Sequence, residues 1–369
     1  MRYKMFKVNW KRAVIKVGSS LIAPNNNQCS QEYLKHIAAF IRDSRLQEKE
    51  VILVSSGSVA AGKGKIAFKH RPSIVEKQAM AAIGQTQMMA NWAGLFDFDC
   101  AQILLTSDDL HNRTRYVNIK STLRELLKNK ALPIVNENDT VAINELKVGD
   151  NDNLAAYTAL VSEADTLIIC TDIKGLYDAD PRNNATAKLI PEVNMIDDSI
   201  YRLAGGAGSD AGTGGMLTKI QAAQKCVDSG IQTLIVDGRD KTVFEALANG
   251  RSPGTLFKPN KSLASARNNW LKHTLKVKGK IDIDHGAQKA LLEKGASLLP
   301  SGIIRVSGQF LSGEAVNITY KNNAIAKGIV LYSATDLVAI KGLNSQKIEV
   351  ALGYYLGETA IHRDDLVLL

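Results

Sequence analysis

Six short runs of continuous apolar residues constrain this chain more than any other feature: AVIKV (13–17), VILVS (51–55), AQILLT (101–106), LPIVN (132–136), TLIIC (166–170) and TLIVDG (233–238). A strand that alternates apolar with polar residues has one wet face, whereas a strand that is apolar throughout is covered on both. Between the runs lie segments of helical periodicity at 30–48, 76–96, 114–129, 151–163 and 215–229, the first with Ser30 as its expected N-cap. This alternation predicts an α/β fold, a three-layer αβα sandwich around a mostly parallel central sheet. Ligands of such sheets bind beyond the carboxyl ends of the strands. The residues just after each run are therefore the ones to read for chemistry.

The pattern stops near residue 258. KPNKSLASARNNW is polar and basic, without apolar periodicity, and a linker is expected over 261–273. Beyond it, LKVKGKIDID, GIIRVSGQF, EAVNITY, GIVLYSA and EVALGYY read as short strands, with one helix at GAQKALLEKGA. A first domain over 1–260 and a small, mostly-β domain over 274–369 follow, and 369 residues accommodate both. The chain is 45% hydrophobic and carries a formal charge of +9, which favours anionic partners, nucleotides and nucleic acids alike. Its four cysteines, Cys29, Cys100, Cys170 and Cys226, are far apart and form no CxxC pair. That spacing argues against a disulfide framework or a zinc site; Cys100 and Cys170 are expected to be buried free thiols, in a reducing cytoplasm. Lys11, Arg12 and Lys16 interrupt the N-terminal apolar residues, so neither a signal peptide nor a membrane span is expected.

The strand ends carry the chemistry. Lys16 lies inside the first apolar run, with Gly18 just beyond. A lysine in a doubly covered strand either faces a polar cleft or snorkels from a sheet edge. SSGSVAAG follows the second run, placing the amides of Ser56, Gly57 and Ser58 at a helix start, where they face an anion or simply make a tight turn. GSVAAGKGK nearly spells a P-loop, but Gly64 replaces the hydroxyl residue that would hold magnesium. The fourth run ends in Asn136, Glu137, Asn138 and Asp139, a polar set suited to a zwitterionic or metal-bearing substrate. Thr171 and Asp172 follow the fifth, at a ligand-contact position or at the start of a surface hairpin. AGGAGSDAGTGGMLTKIQAAQ (204–224) is a glycine-rich loop entering a helix, with Lys219 in its first turns, and reads as a phosphate wrap or a connector.

KVGDNDNLAAY sets Asp150, Asn151, Asp152 and Asn153 in four consecutive positions. An EF-hand loop counted from Asp150 would need glycine and glutamate where Ala155 and Val161 stand, so a calcium loop is not expected. A helix cap uses one such residue. The others are surplus to structure and point to function.

Together, IKVGSSL, VILVSSGSVAAG, KQAMAAIGQTQMM, QILLT, PIVNENDTVA, KVGDNDNLAA, TDIKGLYDADPR and GTGGMLTKIQAA resemble, in order, the amino acid kinase family. NEND followed by VGDNDN is similar to the branch that phosphorylates L-glutamate, and the tail resembles the PUA domain fused to many bacterial members. The resemblance implies the amino acid kinase fold and transfer of phosphate from ATP to the γ-carboxylate of L-glutamate, the first step towards proline. It implies that Lys16, Gly18, Thr171, Asp172, Thr213, Gly214, Gly215, Met216, Leu217, Thr218 and Lys219 bind ATP. Ser56, Gly57, Asn136, Asp139, Asp150 and Asn151 would hold glutamate, and Asp152 would orient the catalytic Lys16 and Lys219. Asp139 and Asp150 suit the α-ammonium of that substrate, Ser56 and the Asn151 side chain its α-carboxylate, and the amides of Gly18 and Gly57 suit the transferring phosphate. Mg2+ is expected on the ATP phosphates, with no protein metal site. Feedback inhibition by proline, a homo-oligomer (dimer or tetramer) and a possible contact of the PUA domain with RNA are further implications.

Overall fold

A computed structural model describes residues 6–24, 28–66, 70, 72–142, 150–205, 214–260, 262 and 276–369. The chain divides into two compact units, Met1–Ser107 with Lys120–Leu263, and Asp108–Ile119 with Ala264–Leu369. Apart from Ser262, the expected linker lies outside the described residues.

The first unit is built on an eight-stranded sheet of β1 (Arg12–Val17), β2 (Glu50–Ser55), β3 (Cys100–Leu105), β4 (Leu132–Glu137), β5 (Thr166–Thr171), β6 (Glu192–Val193), β7 (Gln232–Asp237) and β8 (Thr255–Phe257). Its order is β3-β4-β2-β1-β5-β7-β8-β6. Neighbours run parallel except β7 and β8. The six apolar runs are thus six strands. β6 and β8 escape a sequence reading because 2 and 3 residues are too few to carry a period. β1 lies in the middle, with Lys16 in register with Val54 on one side and Ile169 on the other. A snorkelling edge lysine is therefore excluded.

The helix expected over 30–48 begins only at Leu34, and Ser30 does not cap it. The Ser30 amide is tied to the Ile22 carbonyl, and its hydroxyl accepts from the amide of Glu32, which holds it in the preceding loop. The helix expected over 76–96 runs from Ile74 to Ala93, starting two residues earlier on a reciprocal capping box of Ser73 and Glu76. It crosses the short helix Ser58–Lys63 at glycine contacts. A Cβ on Gly84 would sit 1.8 Å from the Ser58 carbonyl oxygen, and one on Gly62 1.9 Å from that of Met80. No larger residue fits, so this pair of glycines sets the distance between the helices. Trp10, Phe40, Ile37, Met88 and Trp92 pack with β1, β2 and β4 in the core.

The second unit carries a five-stranded sheet of β9 (Val277–Ile283), β10 (Ile303–Gly308), β11 (Ala315–Tyr320), β12 (Asn323–Ile329) and β13 (Leu366–Leu368), ordered β10-β9-β11-β12-β13. The expected helix is present as His285–Lys294, capped by Asp284. Two expectations are corrected here. GIVLYSA is strand only through Ile329, and its end leads into the helix Ala334–Ile340, which Ser333 and Asp336 cap reciprocally. EVALGYY is not a strand: Ile348–Leu352 is a helical turn with Ile348 buried and Val350 exposed, ended by Gly353 in the left-handed region (φ 77°).

All four cysteines are free. Cys170 and Cys226 are fully buried, and burial pushes both thiols up to about 12. Cys100 is only half-buried, because it stands at the first position of β3, the edge strand. Among the described residues no helix is long and apolar enough to cross a membrane.

Candidate active site

Because β1, β2, β4 and β5 are parallel, their carboxyl ends bring Lys16, Ser55, Glu137 and Thr171 to one rim of the sheet. Two helices enter this rim: Asp150–Val161, which begins with the DNDN stretch, and Gly214–Asp228, which carries Lys219.

Asp152 is the centre of charge. It is 1% exposed, and Lys16 and Lys219 are 6% and 8% exposed. The Lys16 ammonium lies 2.7 Å from Asp152 Oδ1, and that of Lys219 lies 3.1 Å from Oδ2. The Thr218 hydroxyl donates to the same Oδ2 at 2.8 Å, and Lys219 also donates to the Gly215 carbonyl at 2.9 Å. Burial alone would raise the Asp152 carboxyl. The charges of Lys16 and Lys219, with hydrogen bonds from Lys16 and Thr218, overcome this and hold it below the usual carboxylate range. Lys219 is displaced the other way: burial, and then the charge of Lys16, lower its pKa against the pull of Asp152. A carboxylate committed on both oxygens and held ionised is no proton acceptor. It is an anchor that keeps two ammonium groups side by side.

Asn151, one residue earlier, faces a different set. Its Nδ2 donates to Ser56 Oγ at 2.8 Å and to Asn136 Oδ1 at 3.0 Å. Asn136 Nδ2 in turn donates to Gln85 Oε1 at 2.9 Å. Asn151 Oδ1 is buried and has no hydrogen-bond partner among the described residues. This reverses the expected chemistry of Asn151, whose free atom is an acceptor rather than a donor for a carboxylate. Nearby, the Ser58 hydroxyl donates to Asp139 Oδ2 at 2.6 Å. Asn153, the last of the four, accepts from Lys225 at 2.8 Å and ties the two entering helices together.

The glycine expectations are partly corrected. The Gly18 amide donates to the Cys170 carbonyl at 3.1 Å, and that of Ser56 to the Val17 carbonyl at 3.1 Å, so neither is open to an anion. Gly18 instead caps the short helix Ser19–Ile22, whose first amides have no intrahelical acceptor. Gly57 caps Ser58–Lys63 with φ 97°, a conformation that favours glycine. Lys63, the P-loop-like lysine, is exposed at the far end of that helix. On the β5 side, Thr171 is buried and donates to the exposed Asp172 at 3.1 Å. Gly215, Met216 and Leu217 open the Lys219 helix with Gly214. Thr213 and the side chain of Asp150 lie outside the described residues.

Residues 11–237 match the model of the amino acid kinase family. The chain belongs to the amino acid kinase family. It is 52% identical over 364 residues to the glutamate 5-kinase of Idiomarina loihiensis, covering 98% of each chain. Identity to the glutamate 5-kinase of Salinibacter ruber is 49% over 367 residues, again with 98% of each covered. To that of Xanthomonas euvesicatoria pv. vesicatoria it is 46% over 363 residues, covering 96% of this chain and 100% of the relative. Residues 279–352 match the PUA domain. For this kinase, sequence reasoning missed the side chains of two residues of the site, Ser58 having been read only for its backbone amide. Gln85 was visible as a polar side chain following Gly84 in KQAMAAIGQTQMM, and the Ser58 hydroxyl as the third of SSGSVAAG. The role of the Thr218 hydroxyl as a brace on Asp152 also emerges only from the fold.

Proposed function

We propose that the chain transfers the γ-phosphoryl group of ATP to the γ-carboxylate of L-glutamate, forming L-glutamyl 5-phosphate, the first step of proline biosynthesis. The observation that carries this reading is the division at the start of one helix: Asn151 joins a neutral polar pocket while Asp152 holds Lys16 and Lys219 together. Near-full-length likeness to glutamate 5-kinases supports the same substrate.

The γ-carboxylate is ionised at neutral pH and needs no general base. Alignment of two anions and relief of their repulsion are what the reaction requires. Lys16 on β1 and Lys219 on the helix Gly214–Asp228 supply positive charge from two directions, in a water-poor site where it acts strongly. Gly18, Thr171, Asp172 and residues 213–219 form the nucleotide side of this reading. Ser56, Gly57, Asn136, Asp139, Asp150 and Asn151 form the glutamate side, with the Asp139 carboxylate and Asn151 Oδ1 for the α-ammonium and the Ser56 hydroxyl for the α-carboxylate. Magnesium enters with ATP, spreading the charge of the phosphates.

In the same reading the kinase domain spans 1–260, the linker 261–273 and the PUA domain 274–369. Proline competes through its α-amino and α-carboxyl groups, the chain forms a homo-oligomer, and the PUA domain is a candidate RNA contact. Free thiols and the substrates support a cytoplasmic address. The test is trapping of the acyl phosphate as a hydroxamate with hydroxylamine. Product should require both ATP and L-glutamate; a signal with aspartate or N-acetylglutamate but none with L-glutamate would overturn the reading.

A further inference from the structure

The hydrogen bonds among Gln85, Asn136, Asn151 and Ser56 have a direction. A carboxamide has one accepting end and one donating end with two hydrogens. Gln85 Oε1 accepts from Asn136 Nδ2, which turns Asn136 Oδ1 towards Asn151. Asn151 then spends both Nδ2 hydrogens within the protein, one on Asn136 and one on Ser56. What it presents is Oδ1, buried and without a partner among the described residues. The Ser56 oxygen accepts from Asn151, so the Ser56 hydrogen remains to be donated elsewhere. In the opposite polarity every amide would be reversed, and Asn151 would present Nδ2, a donor.

The two polarities suit different ligands. An oxygen at Asn151 accepts from an ammonium group. A donor there would repel an ammonium and favour an uncharged or anionic group. An unpaired buried acceptor costs stability until a donor arrives, so the observed polarity is one that an ammonium-bearing ligand completes. Gln85 stands at the far end of the relay, 8% exposed and carried by the helix that the Gly62–Gly84 contact holds in place. Its own Nε2 is buried and without a hydrogen-bond partner among the described residues. Its bond within the relay is therefore the one through Oε1, as the acceptor that Asn136 needs.

We propose that Gln85 is a positioning residue that sets the polarity of this amide relay, and through Asn151 the demand for a free α-ammonium group on the amino-acid substrate. The proposal rests on the glutamate-kinase reading above. Two variants separate polarity from bulk. Gln85→Glu keeps an oxygen acceptor for Asn136 in either protonation state. Gln85→Met keeps the length and removes the acceptor. The measurement is kcat/KM for L-glutamate divided by that for glutarate, which has the same carbon chain and carboxylates but no ammonium, in the full-length protein with hydroxylamine trapping. Because the ratio belongs to whatever active sites are present, partial misfolding of a variant does not move it. Gln85→Met should lower the ratio by about tenfold or more, the weight of one hydrogen bond to a charged group. Gln85→Glu should hold it within about threefold, inside the tenfold that one such bond sets. If Gln85→Met lowers both substrates by a common factor, or if Gln85→Glu collapses the ratio as well, the proposal is overturned. A wild-type protein with no glutamate-dependent product would instead overturn the glutamate-kinase reading.

Discussion

Replacing Asp152 with asparagine preserves the shape of the side chain and removes its charge, and the surroundings determine the cost. The two lysines lie 2.7 and 3.1 Å from its oxygens, and all three groups are nearly excluded from water. At an effective dielectric of about 20, each contact is worth roughly 5–6 kcal/mol before desolvation. Burial of three charges and the repulsion between two ammonium groups offset much of this. Removing one partner of a buried ion pair costs about 3–5 kcal/mol net. The variant should lose about that much stability at neutral pH, out of a total of ~5–15 kcal/mol for an ordinary domain. The urea midpoint of the full-length protein measures it. The loss also has a pH signature. The folded-state pKa of Asp152 is lowered by Lys16 and Lys219 despite burial, and the unfolded value is about 3.9. Its contribution is therefore complete above about pH 4 and disappears as pH falls through the folded value. The gap between wild type and variant should close in that acid range. A neutral-pH difference below about 1 kcal/mol, the range of surface ion pairs, would refute the reasoning, as would a gap that stays constant into acid.

Lys219 should give the reaction an early alkaline limb. Its folded-state pKa is lowered by burial and by Lys16, so kcat/KM should fall below the pH of about 10.4 at which a free lysine titrates. Lys219→Arg, which stays charged, should abolish that limb in a pH–rate profile even if its rate is lower. Lys219→Ala should reduce kcat by about 100–1000-fold, as expected for loss of charge stabilisation, while the KM for glutamate changes only a few-fold. Asp139→Ala should chiefly raise the KM for glutamate, by about 10–100-fold, through loss of a charge-assisted partner for the ammonium. Gly84→Ala places a methyl 1.8 Å from the Ser58 carbonyl. It should cost about 1–3 kcal/mol by overpacking, read from the urea midpoint, and should also raise the KM for glutamate, because Ser58 holds Asp139.

Much of this site was legible because doubly covered strands leave a strong signal. Lys16 stands out in AVIKV since a lysine has no place in a buried strand without a cleft to face. DNDN stands out since a helix start needs one cap and here offers four polar residues. The assignment of neighbouring residues to opposite sides, Asn151 to Ser56 and Asn136, and Asp152 to two lysines, follows from the turn of a helix and needed three dimensions. Gln85 was obscured because a glutamine in an amphipathic helix is ordinary until Gly84 brings its helix against Ser58. The amides of Gly18 and Ser56 were misjudged for a related reason. Their hydrogen bonds cross between strands, to Cys170 and Val17, and no local pattern reveals them. EVALGYY misled because Val350 and Leu352, two residues apart, imitate the alternation of a short strand, whereas they belong to a helical turn.

The central claim is transfer of phosphate onto the γ-carboxylate oxygen, aligned by the Lys16–Asp152–Lys219 group. It is tested most directly with L-glutamate carrying heavy oxygen in both γ-carboxylate positions, incubated with ATP, magnesium and hydroxylamine. Hydroxylamine attacks the acyl carbon and expels phosphate together with the bridging oxygen. The account predicts one heavy oxygen in each phosphate released and one retained in the γ-hydroxamate. Unlabelled phosphate, or release that does not depend on glutamate, would contradict it.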